Sequence, residues 1–236
     1  MTAGRRSTVP AVGSTLDLLR DERRASVETL RAAGPDASTV CDGWTARDVA
    51  GHLLIQDQGG GAPILLTAPI GLPMLRLGVR LPSRFAERME GQQRAAMEVG
   101  WDAALEKLAA GPPRTVAIPV LGSMRFHENW IHHEDVRRAS DPTPRPSAAE
   151  ADDAIWSALR WYGPYQRKVL TGVDLVLQRD DGQELHIGDG DGDRVTAQGP
   201  AGELALIVAG RQSVSAADVD GSETAVGRLC DPSVAL

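Results

Sequence analysis

Cysteine is almost absent from this chain: Cys41 and Cys230 are the only two in 236 residues. Two thiols so far apart in sequence make no disulfide framework, which argues against a stapled secreted scaffold. Long apolar runs are missing too. The most apolar stretch, residues 62–82, is broken by prolines 63, 69, 73 and 82 and by Arg76 and Arg80. A membrane-spanning helix needs about 20 mainly apolar residues, so this segment reads instead as a lid or a partner-facing stretch. The first fifteen residues hold two arginines but no apolar centre of a secretory signal. There is no surplus of basic charge: the formal net charge of −7 argues against a sequence-independent nucleic-acid binder. A G-x-S-x-G elbow is also missing, and neither cysteine stands in a recognisable catalytic setting. The expectation is a soluble, cytoplasmic protein that supplies no nucleophile of its own.

What is present is ordinary for a soluble fold, with 42% hydrophobic and 24% charged residues. The length allows one large or two smaller domains. In the first half, Ser14 followed by Asp17 reads as a helix start, and Leu16, Leu19, Val27 and Leu30 recur at helical spacing until Gly34-Pro35. Thr45, with Asp48 three residues on, caps a second helix that glycines 59–61 terminate. Further helices are expected at about 83–99, at 102–110, and from near Ser123 to Ala139. Three prolines in residues 140–147 mark a linker. Beyond it, one more helix runs to Gly163-Pro164. Alternating runs around Asp181-Gly182 predict a β-hairpin, and residues 193–199 a further strand. Pro200 opens a helix that Gly210 stops, and residues 222–230 form a last one. The Asp/Gly run at 187–194 lacks the distal acid of a calcium loop and reads as a tight hairpin turn. The fold class is therefore α+β: a helical bundle over 1–142, then a small α/β domain over 143–236.

Residues 128–138, "ENWIHHEDVRR", put acids and imidazoles into the last helix of the bundle. Each helical residue turns by about 100°, so Glu128, His132 and Asp135 share one face with Met124 and Ile131, while His127 and His133 point elsewhere. A carboxylate and an imidazole in an apolar stripe are costly unless paired or metal-bound. A buried Glu–His hydrogen bond is the plain alternative. His52, amid Val49 and Ile55 on the second helix, is the possible third member. Bundles build metal sites from His and Glu of facing helices, and two imidazoles with one carboxylate is a donor set of open catalytic zinc sites. Asp135 could orient His132 or pair with Arg137 or Arg138. His133 reads as a surface or outer residue, His186 as a polar strand residue, and Cys41 is left out as a ligand.

"CDGWTARDVAGHL", followed later by E-x-x-x-H-x-x-D, resembles the mycothiol-dependent maleylpyruvate isomerase family within the DinB-like bundles, in particular an actinobacterial metal-binding branch. The resemblance implies that His52, Glu128 and His132 hold a divalent metal, commonly zinc, in a four-helix bundle, with mycothiol as cosubstrate. It further implies a C-terminal domain somewhat like sterol-carrier domains, ending in a helix with Gly-Arg. "GELALIVAGR" has that form, making Arg211 a candidate anchor for an anionic small-molecule substrate or the thiol. The activity implied is thiol transfer to, or isomerisation of, a small electrophile. A non-catalytic metal-binding protein and an apolar-ligand carrier are the competing readings.

Overall fold

The computed structural model describes residues 12–57, 83–112, 119–166, 172–188 and 190–229. The expected lid at 62–82 and glycines 59–61 lie outside them. Among the described residues, the first half holds five helices: α1 (Val12–Ala33), α2 (Ala46–Asp57), α3 (Ser83–Ala96), α4 (Trp101–Ala109) and α5 (Pro119–Arg137). α1 packs along α5 and α4, and α2 along α3 and α4. Their shared core gathers Val27 and Leu30 of α1, Val49 and Leu53 of α2, Leu105 and Leu108 of α4, and Val136 of α5. Of the periodic residues of α1, Val27 and Leu30 enter this core, Leu19 a second one, and Leu16 stays half-buried. Ser14, however, lies within α1 rather than at its cap, because the helix has already begun at Val12.

The start of α2 follows the expected capping chemistry. Asp48 Oδ2 accepts from the Thr45 backbone N–H at 2.8 Å and from its hydroxyl at 2.6 Å, satisfying a donor that the helix start leaves open. A buried arginine then fixes α2 against α5. Arg23 of α1 grips Asp57 with both terminal nitrogens, and its Nε donates to Asn129 of α5 at 2.8 Å. Because α2 and α5 carry the candidate ligands, this clamp sets their separation.

After the linker comes α6 (Ala149–Gln166), then β1 (Val173–Arg179), β2 (Glu184–Ile187), β3 (Asp193–Gly199), α7 (Ala201–Val208), β4 (Asp218–Gly221) and α8 (Glu223–Leu229). α6 does not stop at Gly163-Pro164. Proline removes only one backbone donor, and the helix ends two residues later, so the loss is confined to its last turn. β1 and β2 form the expected antiparallel hairpin, with Leu175 opposite Ile187. The strand order is β2-β1-β3-β4, with β3 parallel to β1. The Asp/Gly run is therefore not a hairpin turn. It carries the chain from β2 across the start of β1 to β1's far edge. That crossing needs glycine: a Cβ on Gly192 would lie 2.6 Å from the backbone of Gly172 and Val173. β4 was not anticipated; its sequence, DVDG, has no apolar alternation, and all four residues are exposed at the sheet edge.

The second core joins sheet and helices across the linker. Leu175 and Leu177 of β1, Ile155 and Leu159 of α6 and Leu204 of α7 meet Leu19 of α1 and Phe126 and Trp130 of α5. α7 comes so close to α5 that a Cβ on Gly202 would lie 2.6 Å from the Trp130 ring. Among the described residues, no helix is long and apolar enough to cross a membrane.

A polar network also bridges the halves. Glu22 of α1 receives His133 Nδ1 at 2.7 Å and Arg145 Nη2 at 2.6 Å, and Arg145 Nε donates to Glu134 at 2.6 Å. Arg145 belongs to the proline-rich linker, which is thereby tied down at both α1 and α5. Burial would raise the Glu22 carboxyl, but the hydrogen bonds from His133 and Arg145 outweigh it and hold the pKa below its usual 4.5. A carboxylate with a depressed native pKa contributes stability that is fully present above its unfolded value and is lost as the pH falls through the folded one. Glu22→Gln is accordingly expected to lower the urea midpoint at neutral pH, with the difference from wild type closing as the pH falls below the ordinary carboxylate range and through the depressed folded value.

Candidate metal centre

His52 projects from the middle of α2, and Glu128 and His132 from adjacent turns of α5. Glu128 Oε2 stands 3.8 Å from His52 Nε2 and 3.9 Å from His132 Nε2. The three donor atoms all lie within 4.8 Å of one another. An ion bound at about 2.0–2.2 Å would be within reach of all three after small side-chain adjustments. The side chains of Glu128, His52 and His132 are 31%, 18% and 9% exposed, so the cluster opens to solvent on the Glu128 side.

Protonation suits ligation. Burial lowers the His52 pKa, the neighbouring His132 and Arg125 push the same way, and Glu128 only partly opposes them, which favours a neutral ring. Burial alone would raise Glu128, yet its neighbours His52, His132 and His127 bring it far below the usual carboxylate range. These shifts favour a neutral His52 ring and an ionised Glu128, the forms that ligate a cation.

The rings are also oriented from outside. His132 Nδ1 lies 2.9 Å from Asp135 Oδ2, so an Nδ1–H donating there leaves the Nε2 lone pair towards Glu128. Asp135 is fully buried and accepts from Arg211 Nε and Nη2, each at 3.0 Å. Asp135 thus contacts both His132 and a cation, and that cation is Arg211 rather than Arg137 or Arg138. Arg137 and Arg138 bind Glu134 instead. Trp44 closes one wall, stacked on His132 with ring centroids 5.6 Å apart and tilted against His52 at 5.2 Å. The loop holding Trp44 is tied to α5 through Val40 N–H to the Asp135 carbonyl at 2.9 Å.

Other sequence expectations fall differently. His133 does not face solvent: it is buried, its Nε2 lies 2.8 Å from Thr29 Oγ1, and Glu22 takes Nδ1. A helical wheel places it off the ligand face but cannot foresee that α1 covers that side. His127 is buried as well. His186 is exposed on β2, as a polar strand residue should be. Cys41 is half-buried and outside the cluster, and burial raises its thiol pKa despite the Arg211 charge, keeping it protonated. Arg211 is buried, with Nε and Nη2 on Asp135 and Nη1 on the Ala209 carbonyl. Its place is behind His132. Sequence reading did not single out Gln56, Gln93, Arg125 or Trp44, which surround the cluster. The available signal was spacing alone: Gln56 follows His52 by four residues and Arg125 precedes Glu128 by three.

Helices that present an open two-histidine, one-carboxylate constellation, followed by a small α/β half whose α7 leads into an arginine behind one of those histidines, define a class of candidate metalloprotein. Residues 16–137 match the profile of the mycothiol maleylpyruvate isomerase N-terminal domain, and the chain belongs to that family. No curated protein sequence matches it. Two solved structures share the fold. One is a crystal structure of the mycothiol-dependent maleylpyruvate isomerase, at 14% identity and TM-score 0.52, over 89% of this chain and 93% of that one. The other is a histidine-to-alanine mutant of the mycothiol-dependent maleylpyruvate isomerase, at 13% identity and TM-score 0.53 over the same shares.

Proposed function

We propose that the chain is a divalent-metal-dependent enzyme that activates a low-molecular-weight thiol, mycothiol, for transfer to or isomerisation of a small electrophile. The observation that carries this reading is the convergence of His52, Glu128 and His132 on one solvent-open point. Family membership supplies the thiol. Zinc suits a donor set of two imidazoles and one carboxylate that leaves a position for an exogenous ligand. When bound, such a cation supplies charge that lowers the pKa of a thiol brought to it.

The protein's own groups do the rest. Asp135, backed by Arg211, directs the His132 lone pair inward. Trp44 stacks on His132 and restrains its ring. Glu128 brings one negative charge, leaving a site with a divalent ion net positive and attractive to an anionic thiolate. We also read the chain as a DinB-like bundle over 1–142, with five described helices where four were expected, and a sterol-carrier-like α/β domain over 143–236. The irregular backbone of residues 141–148 supports a boundary there.

The test is metal content by elemental analysis for wild type beside His52→Ala and Glu128→Ala. Near-stoichiometric metal in wild type that falls in both variants is the expected outcome. Wild-type protein that takes up no metal after chelator-free purification and reconstitution would sink the reading.

A further inference from the structure

Gln56 is a side-chain amide in contact with both His52 and Glu128, and its direction matters. One turn after His52 on α2, it is buried, with Nε2 at 2.7 Å from His52 Nε2 and 3.3 Å from Glu128 Oε2. An amide can present either a donor or an acceptor, and here Arg125 decides which. Arg125 Nη1 donates to Gln56 Oε1 at 3.0 Å, and Nη2 donates to the Gln56 backbone carbonyl. A guanidinium has donors only, so the amide oxygen must face Arg125 and the NH₂ group must face the cluster. Two consequences follow. His52 Nε2 is an acceptor, so its proton sits on Nδ1, 3.1 Å from the Gln93 amide, which must then turn its oxygen to that N–H. And the Gln56 oxygen is withheld from the ligand point, so this residue does not complete a protein-only coordination shell.

We propose that Gln56, held by Arg125, is a positioning donor for the thiolate that the site receives: its N–H group hydrogen-bonds the sulfur at the remaining position and favours the anion over the thiol. This rests on the metal-dependent thiol reading above and names the residue that selects an anionic ligand within it. Were His52 Nε2 to hold a cation, the Gln56 N–H that now donates to it would be free for another acceptor beside Glu128. Arg125 lies behind the amide and polarises it. A metal site lined by an acceptor at that position would repel a thiolate; one lined by this donor stabilises it.

The experiment uses the full chain loaded with Co²⁺ and 2-mercaptoethanol as the probe thiol, following the sulfur-to-cobalt charge-transfer absorption against pH. Wild type and Arg125→Lys, which keeps a donor on the amide oxygen, are expected to share one midpoint. Gln56→Leu and Arg125→Met are expected to raise it by about one pH unit, the scale of one charge-assisted hydrogen bond, at unchanged cobalt content. Should Gln56→Leu fold poorly, Arg125→Met carries the test, because there the amide is present but free to turn. Variants that bind cobalt and thiol at the wild-type midpoint overturn the proposal. Wild type that binds no cobalt overturns the metal reading itself, and wild type that binds cobalt without a thiol band overturns thiolate ligation. These three failures are distinct.

Discussion

Asp135→Ala is expected to weaken metal binding by about 10–100-fold and to destabilise the protein by about 3–5 kcal/mol. Two separate losses add here. Asp135 Oδ2, 2.9 Å from His132 Nδ1, is what directs the Nε2 lone pair to the ligand point. Without it the imidazole can change tautomer or ring orientation, and each alternative costs affinity. The same carboxylate is the partner of Arg211, which is 5% exposed. A buried guanidinium stripped of its anion retains a desolvation cost with no compensating attraction. Asp135→Asn separates the two losses. It preserves shape and one acceptor oxygen, so it can still receive the His132 N–H, but it removes the charge that Arg211 needs. Competition with a chromogenic zinc chelator reads the first effect and urea unfolding reads the second. If Asp135→Ala binds metal as tightly as wild type while losing stability, Asp135 is a counter-ion for Arg211 and nothing more.

This arrangement also shows where sequence reading stops. Periodicity placed Glu128, His132 and Asp135 on one helix face, because positions three, four and seven apart on one helix need no tertiary information. His52 was accessible because a polar ring between Val49 and Ile55 breaks an apolar stripe. The Thr45–Asp48 cap and the β1–β2 hairpin are equally local, fixed by side chains within a few residues. What stayed hidden depends on distant pairings. Arg211 meets Asp135 across 76 positions, and Arg145 meets Glu22 across 123. No spacing rule distinguishes Asp135 pairing with Arg211 from Asp135 pairing with Arg138. Equally hidden is the core that Leu19, Phe126 and Trp130 of the helical half share with the sheet. The parallel placement of β3 was missed because adjacent strands with a short connection usually form a hairpin. The crossing rests on the close approach of Gly192 to the Gly172 and Val173 backbone, a non-local contact that no pattern in the neighbouring residues encodes.

Arg138→Met is expected to cost a further 3–5 kcal/mol or so, and to weaken metal binding although Arg138 touches no ligand. Its side chain is wholly buried at the end of α5. Nε donates to Glu134 at 2.5 Å, Nη2 and Nη1 donate to Glu203 of α7 at 2.5 and 3.0 Å, and Nη1 also reaches the Val214 carbonyl. Glu134 keeps Arg137 and Arg145 when Arg138 is removed. Glu203, 5% exposed, keeps only the Ala216 N–H among the contacts described, so most of the penalty falls there. Replacing both partners, Arg138→Met with Glu203→Leu, removes the orphaned charge and is expected to recover part of the loss. A double-mutant cycle by urea unfolding measures that coupling. The effect on the site follows from chain connectivity. Arg138 anchors α7 and Val214, and Arg211 lies between them on the segment that reaches Asp135. Loosening that segment withdraws Arg211, and His132 loses its orientation through Asp135. If Arg138→Met is destabilised yet binds metal with wild-type affinity, the Arg138 anchor and the Arg211–Asp135–His132 chain are independent. If affinity falls in Arg138→Met and recovers in the double variant, packing of α7 against α5 helps set the metal site.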